Sequence, residues 1–286
     1  MKKLLLFLVS VVIFMSCGSG ATKEKNSGKL LTMEEQIESY ENYITEHPED
    51  HERDSEKLLT AAQIVYKQRK FGEAEKYLKR ALKNHLSASK SADVALFLGT
   101  LYKKTLGDTL SAASLYQNFL VAFPDNKKSS AIRRDYGNLP SFEERLKAIS
   151  KEMVHKETGS LNIKAGKAFI NSCELFAMLQ PKNEKSPDYL LKATKIAKSF
   201  KLFDKALALF DWIIQRYPDT EVAQQALFLK AFTYDNDLKQ KDKAKTAYEA
   251  FIQKYPGTKF AEQAKLLIGM LGKSNEEIVK DFEKKK

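Results

Sequence analysis

Two histidines, His47 and His51, stand four residues apart among Glu46, Glu49, Asp50 and Asp54. On an unbroken helix that spacing would turn both imidazoles toward one metal ion. Pro48 lies between them and interrupts such a helix, so these residues predict a polar turn rather than a metal site. The chain has two cysteines. Cys173 falls in an apolar helical stretch, from Ala168-Phe169-Ile170 to Phe176-Ala177-Met178, which predicts a buried, inert thiol. Gly272-Lys273-Ser274 has the ending of a phosphate loop, but position 267 is Leu267 where that loop requires glycine. No Ser–His or Cys–His arrangement stands out, and no catalytic residue, metal or cofactor is expected.

Cys17 is the exception, because of what precedes it. Met1-Lys2-Lys3 is a basic start, and Leu4 to Phe14 form an apolar run too short to span a bilayer, which takes about 20 residues. Such a run fits a secretory signal. Phe14-Met15-Ser16-Cys17 then resembles a bacterial lipobox, departing from it at Phe14, where the pattern usually has leucine. The resemblance implies a signal peptide over 1–16, a diacylglycerol on Cys17 and a flexible tether over 17–30. With each buried methylene contributing about 0.8 kcal/mol, two or three acyl chains would hold the protein at a membrane almost permanently. No acidic residue closely follows Cys17, which by resemblance to known sorting rules implies the outer membrane, on its periplasmic side. With Cys17 acylated, Cys173 has no intramolecular partner.

A frame then recurs: an aromatic residue, an apolar pair three and four positions on, and an aromatic or His before proline. It reads Tyr40-x-x-Tyr43-Ile44-x-x-His47-Pro48, then Tyr116-x-x-Phe119-Leu120-x-x-Phe123-Pro124. It returns as Phe210-x-x-Ile213-Ile214-x-x-Tyr217-Pro218 and Tyr248-x-x-Phe251-Ile252-x-x-Tyr255-Pro256. The last two prolines are 38 residues apart and the first two are twice that, with Leu86 at the midpoint after His85. His85 therefore occupies an aromatic packing position. A weaker frame, Cys173-x-x-Phe176-Ala177, precedes Pro181. A fixed period of this length marks a helical solenoid. Phe203, Ala206, Phe210, Ile213, Ile214 and Tyr217 form one apolar stripe, in which the small Ala206 admits a paired helix. Trp212, one residue off that stripe, is expected to pack against a neighbouring repeat.

With Gly99, Tyr102, Ala112, Tyr116 and Pro124 in place, these helix pairs resemble tetratricopeptide repeats. Their length and Tyr-Pro endings are similar to two bacterial envelope families. One is the lipoprotein of the outer-membrane β-barrel assembly machine, and the other is the periplasmic coordinator of the Tol-Pal system. The predicted fold is an all-α, tetratricopeptide-type helix-hairpin solenoid with an irregular helical insertion in the middle. Repeats are expected over 31–125 and 186–272, a divergent helical insertion over 126–185, and a charged terminal helix over 273–286. The resemblance implies a partner-binding groove lined by the first helix of each pair, at Gln63, Tyr66, Thr100, Lys103, Lys195 and Lys198.

The formal net charge of +11 raises the question of nucleic acid. Lysines alternate with acids along helical faces, as in Glu73-Ala74-Glu75-Lys76-Tyr77-Leu78-Lys79-Arg80, which describes solvated helix surfaces instead. The expected partners are envelope proteins and, through the anchor, a membrane, without nucleic acid or a small-molecule substrate. The alternatives are a peptidoglycan-related enzyme subunit, which needs converging acidic or nucleophilic groups, and a small-ligand or glycan receptor, which needs exposed aromatics.

Overall fold

The computed structural model describes residues 31–273 and 276–277. The signal segment 1–16, Cys17, its tether and most of the terminal helix expected over 273–286 lie outside the described residues. The helices are α1 (Met33–Glu46), α2 (His51–Lys67), α3 (Phe71–Asn84), α4 (Ser91–Thr100) and α5 (Thr109–Ala122). They continue as α6 (Ser129–Tyr136), α7 (Phe142–Lys151), α8 (Ile163–Leu179), α9 (Ser186–Ser199) and α10 (Phe203–Arg216). The last three are α11 (Glu221–Phe232), α12 (Lys241–Lys254) and α13 (Lys259–Met270). Among the described residues the sole β pairing is one antiparallel bridge, Val154 to Leu161.

The recurring frame becomes a recurring turn. His47, His85, Phe123, Gln180, Tyr217 and Tyr255 each end a helix with φ between −133 and −128. Proline after five of them disfavours helix in the residue before it. Leu86 replaces proline after His85, yet the turn is unchanged, because a hydroxyl staples it. Ser91 donates to the His85 carbonyl at 2.7 Å, as Ser129 does to Phe123 and Ser186 to Gln180. In the returns after α10 and α12 Thr220 and Thr258 donate to the Tyr217 and Tyr255 carbonyls, and each also caps the next helix. The turns in the other direction share a left-handed residue: Arg69, Gly107, Lys201 and Lys239, with φ between 55 and 63.

Consecutive helices pack as antiparallel hairpins stacked side by side. Their apolar stripes bury Leu78 and Leu82 on α3, Leu115 and Phe119 on α5, Phe210 and Ile213 on α10, and Tyr248 and Phe251 on α12. Two of the first helices, α4 and α11, run on through a π-helical turn, Leu101–Thr105 and Thr233–Asp237. A π turn accommodates one extra residue without breaking hydrogen bonding. Of the two repeats whose first helix begins at a serine-stapled turn, that of α4 has a π turn and that of α9 lacks one, and the latter is one residue shorter.

The middle of the chain departs from this regularity. α6 and α7 leave the stack, a short hairpin follows α7, and α8 returns to pack on α5, α9 and α3. α7 lies against α8 through Phe142 on Phe176, ring centroids 4.7 Å apart, and both rings meet Tyr189 of α9. Thus the irregular part is α6, α7 and their connections, while α8 holds the place of a second repeat helix. Trp212 is buried, with Lys83 Nζ of α3 over its ring at 4.6 Å.

Close approach at one glycine makes the hairpin packing testable. A Cβ on Gly99 of α4 would stand 2.6 Å from the Tyr116 ring of α5, a ring that is itself buried. Gly99→Ala should lower the free energy of unfolding by about 1–3 kcal/mol, the usual cost of overpacking, as read from the denaturant midpoint.

Candidate functional site

The most polar place in the interior lies where the second helices α3, α8 and α10 meet. Glu174 lies in a buried stretch of α8, where Cys173, Leu175, Phe176 and Ala177 are all buried. Its two oxygens accept from Lys79 of α3 at 3.2 Å and from Lys205 of α10. Lys79 also donates to Glu75 at 2.7 Å and to Asn171 Oδ1 at 2.7 Å, and Tyr102 donates to Glu75 at 2.8 Å. Charges therefore alternate through Glu75, Lys79, Glu174 and Lys205. Burial works against the Glu174 charge, but Lys79 and Lys205 outweigh it and hold the carboxyl below its ordinary value. Burial likewise opposes the Lys79 charge, and Glu174, Tyr102 and Glu75 overcome it. A recess opens above this network between Gly72, Lys76, Lys167, Ile170 and Leu202.

A second polar seam ties α5 to α7 and α8. Ser114 donates to Ser172 at 2.7 Å, and Gln180 donates to Asn118 at 2.6 Å. Arg145 of α7 enters this seam 9% exposed and donates to Gln117, Ser114 and the Leu110 carbonyl, with no carboxylate among its partners. Burial lowers its proton affinity. Every donor and acceptor here is turned inward, which makes the seam a joint.

The six residues expected to line a groove have unequal fates. Gln63 and Lys195 are exposed on α2 and α9. Thr100 and Lys103 border a shallow recess with Leu96, Ile132 and Tyr136, where Lys103 Nζ lies 5.3 Å from the Tyr136 ring centre. Tyr66 instead packs on Phe71 and Phe97 and bonds Thr105 at 3.1 Å. Lys198 pairs with Asp237 of the second π turn at 2.8 Å. Tyr66 and Lys198 are thus engaged in joining neighbouring helices, Thr100 is half-buried and donates to the Leu96 carbonyl, and Gln63, Lys103 and Lys195 are exposed.

The first return turn brings His51 to His85, Nδ1 to Nδ1 at 3.0 Å, so one ring donates to the other. Asp54 lies beyond, 3.9 Å from His85 Nε2, fully buried, with neither oxygen accepting a hydrogen bond. Burial holds His85 below its ordinary value, aided by His51 and Arg80. Burial also raises Asp54, aided by Asp50. Both groups are driven toward their neutral forms. His47 points instead toward Glu49, and among the described residues no three of His, Cys, Asp or Glu converge to hold a metal ion. Cys173 is fully buried, and burial pushes its thiol up.

Glu174→Gln would leave two ammonium groups facing a neutral amide. Because Glu174 and Glu75 sit below their ordinary value of 4.5, their contribution is complete above that pH and is lost as pH falls through their lower folded values. The expected result is a loss of about 3 kcal/mol at neutral pH, shrinking in acid, as read from denaturant curves of both proteins between neutral pH and pH 3.

A family model for the tetratricopeptide repeat matches residues 225–258, which span most of α11, its π turn and α12. No curated protein matches the chain. Among solved structures, a tetratricopeptide repeat protein from Parabacteroides merdae is similar, at 16% identity and a TM-score of 0.25. That alignment covers 79% of this chain and 96% of the other. The repeat match and the stacked antiparallel hairpins together make the described chain an all-α, tetratricopeptide-type solenoid.

Proposed function

We propose that this chain is an envelope scaffold: a lipoprotein acylated at Cys17, held at the outer membrane on its periplasmic side, whose helical array binds other envelope proteins. Repeats of this type mediate protein–protein interaction, and the match over 225–258 is the observation that carries the binding half of the proposal. The interior adds support. Glu174, Lys79 and Arg145, the polar groups best placed for chemistry, are saturated by one another and by neighbouring side chains. A scaffold needs such joints, whereas a catalyst needs groups left open to a substrate. Gln63, Lys103 and Lys195 remain exposed as contacts for a partner, with Thr100 half-buried beside Lys103. The tasks that fit are outer-membrane protein assembly and Tol-Pal-linked coordination of the envelope. The anchoring half rests on Ser16-Cys17 behind its basic and apolar leader.

Cys17→Ala should move the protein from the membrane fraction to the soluble fraction of lysed cells. A variant that stays fully membrane-bound would end the lipoprotein reading. A photo-crosslinker placed at Lys103 or Lys195 in living cells should capture barrel-assembly or Tol-Pal proteins, identified by mass spectrometry. Repeated capture of bulk envelope proteins alone would count against a dedicated scaffold.

A further inference from the structure

Stacked antiparallel hairpins have two edges, one at the turns from first to second helix and one at the returns. On the first edge lie the turns at Arg69, Gly107, Lys201 and Lys239. The hairpin between α7 and α8 belongs to the same edge. α8 runs parallel to α5, with Asn171 in the middle of α8 bonding Ser111 near the start of α5 and Gln180 bonding Asn118 further along. Gly166, near the start of α8, also touches the Phe200 ring at the α9 end.

This edge is basic. Each of its turns presents an exposed cation that forms no ion pair with any described residue: Arg69, Lys104, Lys156, Lys201 and Lys239. The returning edge differs. It is acidic between α1 and α2, at Glu46, Glu49, Asp50 and Glu52, and again between α10 and α11, at Asp219 and Glu221. Elsewhere its charges are mixed.

The basic edge also carries exposed aliphatic side chains. In the α7–α8 hairpin, Asn162 N–H donates to the Met153 carbonyl at 2.8 Å and His155 N–H to Ser160 at 2.9 Å. Val154 and Leu161 stand directly opposite in the bridge, so their side chains leave from one face. They are 47% and 46% exposed, and Ile163, two residues on, is 51% exposed. Leu106 and Leu110 are exposed beside the neighbouring turn. Scattered apolar residues need no explanation. Here, however, seven of the ten large hydrophobic residues exposed in the described chain share one edge with its unpaired cations, because Leu31 and Met33 lie at the start of α1 beside Gln68.

We propose that this edge rests on an anionic lipid surface. Val154, Leu161 and Ile163 enter the headgroup layer, while Lys151, Lys156 and Lys164 meet the lipid phosphates. Cations and exposed aliphatic side chains interspersed along one edge match the phosphates and the acyl boundary of an anionic lipid surface. Lysine stems lie along apolar material while their ammonium groups stay among phosphates. Each cation close to such a surface strengthens the contact, and the aliphatic side chains add to it. The contact belongs to the folded array and requires no acyl chain on Cys17.

The test uses two full-length variants, Val154→Trp on the basic edge and Glu221→Trp on the other. The single native tryptophan, Trp212, is 5% exposed and supplies a common background. Each is mixed with vesicles of phosphatidylglycerol bearing brominated acyl chains, or of brominated phosphatidylcholine. With phosphatidylglycerol the Val154→Trp emission should shift to the blue and be quenched, while Glu221→Trp emission stays unchanged. Raised salt, or Lys151→Glu, Lys156→Glu and Lys164→Glu together, should abolish the quenching without altering the thermal melt. Equal quenching at both edges, no quenching at Val154→Trp, or equal quenching by the two lipids would overturn the proposal. So would a blue shift that appears only when envelope proteins are added without lipid.

Discussion

Glu174 is the constraint on which the middle of the molecule depends. A tetratricopeptide-type solenoid ordinarily joins each hairpin to the next, so its shape accumulates from local contacts. Here α8 packs against α5 directly, and its buried carboxylate binds ammonium groups from α3 and α10 at once. That closes one part of the array on another. A buried ion pair is poor evidence of added stability, since taking charges out of water offsets much of their attraction. Its stronger effect is on arrangement. With α8 shifted along α5, Glu174 would lose both partners and be left as an unpaired buried carboxyl that must take up a proton, a cost that favours the observed register. The neighbouring seam works in the same way, because Arg145 finds its acceptors on α5 only where α7 is docked.

Local features of this architecture were legible because local rules produce them. Thr32 with Glu35, and Ser141 with Glu144, form the capping boxes that their spacing predicts. The frame ending in aromatic-Pro marks a helix end with one repeated backbone geometry. That geometry survives at His85-Leu86, where the staple from Ser91 performs the work of proline. Gly272 takes a left-handed φ of 81 just past α13, a conformation in which glycine readily ends a helix.

What escaped the sequence is long-range. Nothing near Glu174 in the chain announces Lys79 or Lys205, although one acid in a long buried helix is itself a sign that a partner exists elsewhere. Tyr66 and Lys198 occupy groove positions by repeat arithmetic, yet both face packing partners. The reason lies in the π turns: the first brings Thr105 to Tyr66, and the second brings Asp237 to Lys198. A fixed-period reading assumes that every first helix ends alike, and one added residue rotates the side chains that follow it.

Charge had a similar limit. Along the sequence, lysines alternate with acids and describe no patch. Hairpin stacking sorts them by a different rule, gathering every first-to-second turn on one edge, however far apart those turns lie in the chain. The left-handed residue at the centre of each such turn is Arg, Gly or Lys, and it protrudes because the backbone reverses there. Lysine and arginine in that conformation are strained relative to glycine. Three of the four hairpin turns built this way keep the strain and the charge together. A fold that needed only a turn would be equally served by glycine at all four, as at Gly107, so the basic side chains at the other three are best understood through what the edge meets.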